Sequence, residues 1–367
     1  MKTPAIALFV LSACTQAPSG GPPPKTATTL NRAVAEIDPR IWKIHQARNG
    51  DYWFGSNGNG VYRFDGVDVT HYTRADGLSG DEVRGLHEDA KGNVLIATNS
   101  GVSKFDGHGF ATLELVAEPT LLKDWVLDPD DLWLVKPGVR GPVRYDGEKL
   151  YHMQLTDSPA DAAHHEQQAS FRFDTKAVYS TYKDRRGHLW FGTANVGLCR
   201  YDGQTLGWMF EDQLTTTPSG GAFGIRSIFE DRAGDFWICN TRNRFEMSRD
   251  VSQVGEHTLI QYAKQQGLPQ AAADTDENFL FYPAMIEDDA GALWMACGSD
   301  GVTKYSGEHV TRYAIADGAY ACHIYRDLKG KLWVGTLEHG IHVFDGTKFE
   351  RFQPPKAQAV KSTTAAK

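Results

Sequence analysis

The feature that most constrains the fold is a sequence pattern that recurs seven times along the chain. An apolar strand ends in Asp, a Gly follows three residues later, and the next strand is apolar with a central Trp. A third strand ends in an aromatic residue followed by Asp-Gly. The central residues of the seven copies are Trp53, Leu95, Trp133, Trp190, Trp237, Trp294 and Trp333. Their spacings of 38 to 57 residues include the length of a four-stranded unit, about 40–50 residues.

Each part of the pattern predicts a local structure. Asp-x-x-Gly favours a tight turn, because Asp accepts hydrogen bonds from nearby amides and Gly adopts positive φ. The Asp-Gly pairs predict hairpins, and the recurring Trp should pack between neighbouring sheets. The sequence therefore predicts an all-β fold, a seven-bladed β-propeller of four-stranded antiparallel blades, over residues 41–353. Eight blades are the alternative, if residues 151–177 contain a degenerate copy.

Two copies carry a recognisable family signature, at residues 188–193 (HLWFGT) and 331–336 (KLWVGT). They resemble the two-component regulator propeller repeat, and the resemblance extends over about residues 41–352. It implies an extracytoplasmic sensor propeller that recognises carbohydrates or other small solutes. No transmembrane helix or kinase segment is recognised after the propeller, so we expect a free-standing recognition module. Streptogramin lyases have similar repeats and are enzymes, which keeps a catalytic alternative open.

The first 13 residues are typical of an export signal, with Lys2 before the apolar stretch 4–10. Residues 11–14 (LSAC) resemble the lipobox of bacterial lipoproteins, which implies cleavage before Cys14 and lipidation of its thiol. An ordinary secreted protein is the alternative. Thr15 replaces the Asp that retains lipoproteins in the inner membrane, so the resemblance implies the outer membrane where the organism has one.

The segments that flank the propeller are predicted to be unstructured. Residues 14–40 are rich in Pro, Gly, Ser and Thr and predict a flexible tether, and the polar tail 354–367 is expected to be disordered. The chain has 38 Lys and Arg against 46 Asp and Glu, a net charge of −8. Since this charge repels phosphate backbones, we expect no nucleic-acid partner.

A binding site is expected on the face where the inner strands begin. The long insertions 151–177, 211–224 and 264–278 connect outer to inner strands and should crowd that face, where rigid scaffolds usually bind. Aromatic rings with two Arg suit a sugar or an anionic solute. The candidates are Trp42, Arg84, Trp125, Tyr179, Arg226, Tyr282, Tyr320 and His323. Each could instead fill the central funnel or pack between blades.

Other polar clusters predict no catalytic residue, metal or cofactor. His164, His165 and Glu166 lack a partner spacing, and residues 274–285 depart from the calcium loop at its Gly and Glu positions. The recurring Glu-Asp pairs, such as Glu230-Asp231, are interpreted as turn residues because they follow the repeat.

The cysteines after Cys14 leave two alternatives. Cys297 and Cys322 should lie near the same face of neighbouring blades, which would allow a disulfide in an oxidising compartment, and Cys199 and Cys239 could also meet. We prefer buried free thiols, because the sequence does not fix the geometry that a disulfide needs.

These observations together predict a lipid-anchored, extracytoplasmic, monomeric propeller. We expect it to bind a small solute or glycan, or an envelope protein, without chemistry, in a role such as envelope sensing. One alternative is a propeller lyase or hydrolase with a divalent metal near the funnel, and another is a scaffold within an envelope complex.

Overall fold

The computed structural model describes residues 33–161, 174–216, 218, 224–269, 279–307, 309–316 and 318–355. The export signal, Cys14, the clusters at 164–166 and 274–278, and the tail from residue 356 lie outside these residues. The predicted tether is described from residue 33 onward, and each of the three long insertions is described in part.

The described residues form β-strands connected by short turns. The first half of the chain contains β1 (Ile41–Gln46), β2 (Tyr52–Ser56), β3 (Val61–Phe64), β4 (Val69–Tyr72), β5 (Val83–Glu88), β6 (Val94–Thr98), β7 (Val102–Phe105), β8 (Phe110–Thr112), β9 (Leu115–Thr120), β10 (Leu132–Leu134), β11 (Val143–Tyr145), β12 (Leu150–Met153), β13 (Val178–Lys183), β14 (Leu189–Thr193), β15 (Leu198–Tyr201) and β16 (Leu206–Met209). The second half contains β17 (Ile228–Glu230), β18 (Asp235–Ile238), β19 (Arg244–Val254), β20 (His257–Gln265), β21 (Ala284–Glu287), β22 (Leu293–Ala296), β23 (Val302–Ser306), β24 (His309–Tyr313), β25 (Ala321–Arg326), β26 (Leu332–Thr336), β27 (Ile341–Phe344) and β28 (Phe349–Arg351). Among the residues that the structure describes, the helical elements with assigned bounds are the 3-10 turns at Arg74–Asp76 and Leu122–Asp124 and an α-helical turn at Asp212–Thr215.

The strands pair into six sheets in the described part of the chain. Five sheets have four strands, and the sixth has eight, in the order β13-β14-β15-β16-β20-β19-β18-β17. This large sheet consists of two sequential groups of four strands, joined where Trp208 on β16 pairs in parallel with Leu259 on β20. The predicted all-β fold of four-stranded units is therefore confirmed at this level.

One sheet departs from the predicted antiparallel pattern. Here β9 lies outside β12 and parallel to it, and β10 is the innermost strand. Residues 125–131, which should have formed the inner strand, have no strand assignment. Pro129 in this stretch has no backbone N–H, and Asp128 lies five residues before Trp133 instead of the six found in the complete copies. The shortened copy thus loses its inner strand and gains an outer one.

The hydrophobic core lies between neighbouring sheets, as the recurring Trp predicted. Trp53 contacts Phe105 of the β5–β8 sheet, with ring centroids 5.1 Å apart, and Trp294 contacts Phe344 of the last sheet at 5.0 Å. Strands such as β14 and β26 are buried at every residue, because a neighbouring sheet covers each of their faces. Clusters of this kind connect each sheet to the next and the last sheet to the first, so the sheets form a closed ring.

The ring closes without a shared strand, since β1–β4 stay in the first sheet and β25–β28 in the last. The backbone N–H of Gly340 donates to the Pro39 carbonyl at 2.7 Å, and side chains add further contacts. Tyr52 packs on Trp333 with ring centroids 4.6 Å apart, and its hydroxyl donates to Asp327 at 2.7 Å. The backbone N–H of Gln46 donates to the Tyr325 hydroxyl at 2.9 Å. These contacts provide the closure that a shared strand supplies in other rings of sheets.

The Asp and the Trp of the repeat bind each other. In four copies the Trp indole N–H donates to the Asp carboxylate six residues earlier, at 2.8–2.9 Å: Trp190 to Asp184, Trp237 to Asp231, Trp294 to Asp288 and Trp333 to Asp327. The other carboxylate oxygen accepts amides of the turn, as Asp327 does from Lys329 and Lys331. The recurring Asp therefore fixes both the hairpin and the interblade Trp.

The Glu of each of these Glu-Asp pairs binds an arginine of the preceding group of four strands. Arg48 contacts Glu88 at 3.1 Å, Arg185 contacts Glu230 at 3.1 Å and Arg232 contacts Glu287 at 3.5 Å. Each arginine lies in the turn after an inner strand, at the opposite end from the predicted binding face. The pairs are thus structural groups at the turn end of the sheets.

Candidate functional site

A bulge at the start of several inner strands positions the candidate site. The pairing of β1, β5, β13 and β25 with their neighbours skips one residue, between Ile41 and Lys43 in β1 and at the equivalent place in the others. The skipped residues are Trp42, Arg84, Tyr179 and Cys322. A bulge redirects the side chain of the extra residue, and all four of these side chains line one cavity.

The cavity has a volume of about 310 Å³ and lies where the inner strands begin. Its lining residues are Trp42, Lys43, Arg84, Val135, Tyr179, Arg226, Phe281, Pro283, Tyr320, Cys322 and Leu337. Five of the eight residues that the sequence put forward are among them: Trp42, Arg84, Tyr179, Arg226 and Tyr320. The structure therefore brings most of the candidate residues together at one place.

The other three candidates lie outside the lining. Trp125 is buried between the sheets, 5.0 Å from the Tyr201 ring, because the loop that replaces the missing inner strand folds into the core. Tyr282 is fully buried, and its hydroxyl donates to the Ile238 carbonyl at 2.6 Å. His323 accepts the Ile44 amide through Nδ1 at 3.3 Å. These side chains pack or bind the backbone around the cavity.

The two arginines of the cavity lie against aromatic rings. The Arg84 guanidinium carbon is 4.5 Å from the centre of the Trp42 ring, and that of Arg226 is 4.8 Å from the Tyr179 ring. Arg84 also donates to Asn57 and Asn99 at 2.8 Å and to Glu82 at 2.9 Å. Stacking and these hydrogen bonds hold the guanidinium in place, which is the preorganisation that a binding site needs.

Lys43 is the charged residue of the cavity lining that the sequence analysis missed. It follows Trp42 directly, at the position where the bulge ends, so two consecutive residues of β1 face the cavity. Burial lowers the pKa of Lys43, and the charges of Arg226 and Arg84 lower that pKa further. One signal in the sequence could have identified Lys43: it forms, with Trp42, a pair of adjacent large residues at the start of an inner strand. We did not expect a bulge at that position.

Three histidines lie on the same inner strands as the cavity residues. Burial lowers the pKa of His87 to about 4, and burial also lowers the pKa values of His45 and His323. Lys43 lowers the pKa of both His87 and His323. The imidazoles are therefore neutral at pH 7, and the positive charge of this region belongs to Lys43 and the two arginines.

The described cysteines are free thiols. Cys322 faces the cavity, and its thiol donates to the carbonyls of Ile41 and Gly335 at 3.3 Å, whereas the Cys297 thiol contacts Thr303 at 3.4 Å. Burial raises the pKa of Cys322 to about 12 and that of Cys297 to about 11. The disulfide considered for Cys297 and Cys322 is not formed in the structure.

Within the ranges that the structure describes, no three His, Cys, Asp or Glu side chains form a group that could hold a metal ion. Over the same ranges, no helix has the length and apolar content needed to cross a bilayer. The residues 164–166 and 274–278, considered above as metal ligands, are outside these ranges.

Residues 173–195, which include the whole β13–β14 hairpin, match the family described as two-component regulator propeller. The chain carries a repeat of this family. The match confirms the resemblance drawn from the copy at residues 188–193. The comparison with curated proteins found no match.

Solved structures share the fold at low sequence identity. The extracellular domain of a putative one-component system from B. thetaiotaomicron is 16% identical, with a TM-score of 0.58 over 85% of this chain and 39% of that one. Virginiamycin B lyase from Staphylococcus aureus is 14% identical, with a TM-score of 0.58 over 84% of this chain and 96% of that one. PorZ, a surface component of the type-IX secretion system of Porphyromonas gingivalis, is 13% identical, with a TM-score of 0.55 over 84% of this chain and 46% of that one. The chain thus spans less than half of two of these neighbours, and the likeness concerns the β-propeller fold alone.

Proposed function

We propose that this protein is a recognition module that binds a small solute, such as a glycan, in the cavity where the inner strands begin. The observation that carries the proposal is the convergence of bulged residues from different sheets on one cavity of about 310 Å³. This volume is at the lower end of the range for small-molecule sites. Fixed guanidinium groups beside aromatic rings provide polar and stacking contacts for a solute.

We take the number of blades to be seven. The eight-stranded sheet counts as two blades, because its two groups of four strands are sequential and a parallel bridge at Trp208 joins their outer edges. The long hairpin β19–β20 makes this bridge because it extends beyond the length of the other outer strands. Each of the seven Trp or Leu positions of the repeat then falls on its own blade.

The proposed location is outside the cytoplasm, with a lipid on Cys14 and residues 15–40 as the tether. The export signal and the lipobox resemblance support this location. The comparison with an extracellular domain of B. thetaiotaomicron is in keeping with it. Cys14→Ser followed by membrane fractionation tests the anchor: the variant should leave the membrane fraction, and its retention there would contradict lipidation.

Binding without chemistry is the form of the proposal that the cavity supports. Its thiol, Cys322, has a pKa of about 12 and donates to backbone carbonyls, so it is protonated and engaged at neutral pH. Among the described residues that line the cavity, none is a carboxylate or a histidine that could act as a general base for a nucleophile. We accordingly expect the monomer to release its solute unchanged.

A thermal-shift screen of mono- and disaccharides and small organic acids tests solute binding, with two matched tyrosine variants. Tyr179 and Tyr151 are both half-buried with an arginine over the ring, Arg226 at 4.8 Å and Arg144 at 5.7 Å, but Tyr151 lies on β12, outside the cavity lining. A bound compound should raise the Tm of the wild type and of Tyr151→Ala by roughly 2–5 °C at about 100 times its Kd, and Tyr179→Ala should lose this shift. The absence of any hit, or a hit that Tyr179→Ala retains, would overturn solute binding in this cavity.

A further inference from the structure

We propose that the cavity selects organic anions and that Lys43 binds the acidic group of the solute. The inference rests on the proposed function, because it names the class of solute that the same cavity takes. Three features of the cavity support it: the charge of its lining, the lack of a partner for Lys43 and the shape of its walls.

The lining of the cavity has one sign of charge. Of its eleven described residues, Lys43, Arg84 and Arg226 are cationic and none is acidic. The chain as a whole has eight more acidic than basic residues, so this distribution is the reverse of its overall charge. Three cations around one concave space create a positive potential that attracts anions and that the apolar walls strengthen.

Lys43 differs from the two arginines in what it binds. Arg84 donates to three side chains, and Arg226 also interacts with neighbouring groups. The Lys43 ammonium has no hydrogen-bond or ion-pair partner in the described protein, and its side chain is half-buried. Partial removal of an unpaired charge from water costs free energy, and a carboxylate or phosphate in the cavity would reduce that cost.

The electrostatics at Lys43 agree with this role. The charges of Arg226 and Arg84, after burial itself, lower the pKa of Lys43, so the neighbouring cations disfavour its protonated form. A bound anion reverses this effect, because it stabilises the protonated amine and both guanidinium groups together. Without an anion the three cations repel one another, and one bound anionic group would reduce that repulsion.

The walls of the cavity define the rest of the solute. Trp42 and Tyr179 are stacked against arginines, and Tyr320 and Phe281 add further aromatic surface. Val135, Pro283 and Leu337 complete an apolar boundary. A flat body, either an aromatic ring or the apolar face of a sugar ring, fits between such walls. The expected solute is therefore a small acid with a planar or sugar-like body.

Two matched pairs of probes test the inference on the full mature protein: benzoate against benzamide, and glucuronate against glucose. Ligand-observed NMR gives the affinity of each probe. In the wild type, the acid of at least one pair should bind about tenfold more tightly than its neutral partner. Lys43→Met should abolish this preference, and Lys43→Arg should keep it, because arginine preserves the charge.

Lys91→Met is the control, since Lys91 is an exposed lysine in the turn after β5, at the other end of the inner strands. It makes the same change in net charge and should leave the preference intact. Lys43→Met should fold, because replacing a buried charge by an apolar side chain of similar length is usually tolerated. Its Tm should equal or exceed that of the wild type.

The outcomes separate this inference from the proposed function. A neutral probe that binds as tightly as its acid, or a preference that Lys43→Met retains, would overturn anion selection and leave solute binding in place. Failure of all four probes to bind at up to about 10 mM would count against both. Equal loss of preference in Lys43→Met and Lys91→Met would show a long-range charge effect and overturn the assignment to Lys43.

Discussion

The arginines at the two ends of the inner strands have different surroundings. At the cavity end, Arg84 and Arg226 lie against aromatic rings and face open space. At the turn end, Arg48, Arg185 and Arg232 each bind a Glu of the next group of four strands. Arginine side chains thus line a cavity at one end of the inner strands, and at the other end they hold the units of the ring together.

This difference between the two ends corresponds to how similar the copies of the repeat are at each end. At the turn end the copies are nearly identical, because every sheet needs the same hairpin and the same contact with its neighbour. At the cavity end the copies differ: the skipped residue of the bulge is Trp42 in one sheet and Arg84, Tyr179 or Cys322 in others. Identical residues in the repeat therefore indicate assembly, and the position where its copies differ indicates recognition.

Replacing one tryptophan at each end by alanine should give the largest difference in the free energy of unfolding. Trp237 is buried between sheets and binds Asp231 at 2.8 Å, so Trp237→Ala should lower the free energy of unfolding by about 3–5 kcal/mol. Trp42 is only half-buried at the rim of the cavity, so Trp42→Ala should cost about 1 kcal/mol and abolish solute binding. Urea unfolding measures both, and equal losses of stability would remove the distinction between the two ends.

The carboxylate that joins the first and last sheets should give the next largest effect. Asp327 accepts hydrogen bonds from Trp333 at 2.8 Å and from Tyr52 across the closure at 2.7 Å. Asp327→Asn should cost about 2–3 kcal/mol at pH 7, because bonds to a charged acceptor are replaced by weaker ones.

The cost of Asp327→Asn should also depend on pH. Burial alone would raise the pKa of Asp327, but its bonds from Trp333, Tyr52 and the turn amides outweigh burial and lower it below 3.8. The stabilisation is therefore complete above pH 3.8 and disappears as the pH falls through the lower folded value. Unfolding curves of wild type and variant should converge as the pH falls through the lowered folded pKa of Asp327, and a gap that stays constant with pH would contradict this role of its charge.

A smaller effect, in the stabilising direction, is expected in the one copy of the repeat that has Ala47 in place of the Asp. A substitution there should restore the missing Asp–Trp hydrogen bond. The buried indole N–H of Trp53 has no partner in the described protein, and Ala47 stands six residues before it. The β17–β18 copy has the same surroundings with the Asp present: Asp231, then Asp235 bound by Arg244, as Asp51 is bound by Arg63. Ala47→Asp should therefore be tolerated and add about 1 kcal/mol to the free energy of unfolding.

The control for this prediction is Ala47→Asn, which offers an uncharged acceptor and should gain less. Chemical unfolding at pH 7 measures both variants. A loss of stability in Ala47→Asp would mean that the repulsion from Asp51 exceeds the new bond to Trp53, and the matched copy would then be a poor guide to this one.

How far the sequence predicts the structure depends on which end is considered. The all-β fold, the four-stranded units and the interblade Trp follow from spacing and turn residues, because these are local and repeated. The cavity residues Trp42, Arg84, Tyr179, Arg226 and Tyr320 follow from their place near the start of the inner strands. Strand alternation alone does not assign Lys43, because a bulge shifts the alternation of side chains and its occurrence depends on pairing with the next strand.

The missing inner strand of the β9–β12 sheet shows the same limit. Sequence alone placed Trp125 near the cavity because its copy was aligned with complete ones, whereas the loop takes Trp125 into the core beside Trp133 and Tyr201. The parallel outer strand β9 depends on space beside β12, a tertiary property that no local pattern encodes. Where the repeat is intact the sequence predicts the order of the strands, and where it is shortened the neighbouring sheets decide that order.

The smallest expected effect compares one arginine from each end. Arg185 is more than half exposed in its bond to Glu230, so Arg185→Met should cost less than about 1 kcal/mol, and high salt should reduce the difference further. Arg84→Met should change stability by a similar amount but weaken the binding of the acidic probe by about tenfold, because it removes a fixed guanidinium from the cavity. Titrating both variants with the probe that binds the wild type measures the contrast. If Arg185→Met weakened binding as much as Arg84→Met, the arginines of the two ends would act through the overall charge of the ring. The proposed difference in role between the cavity end and the turn end would then be wrong.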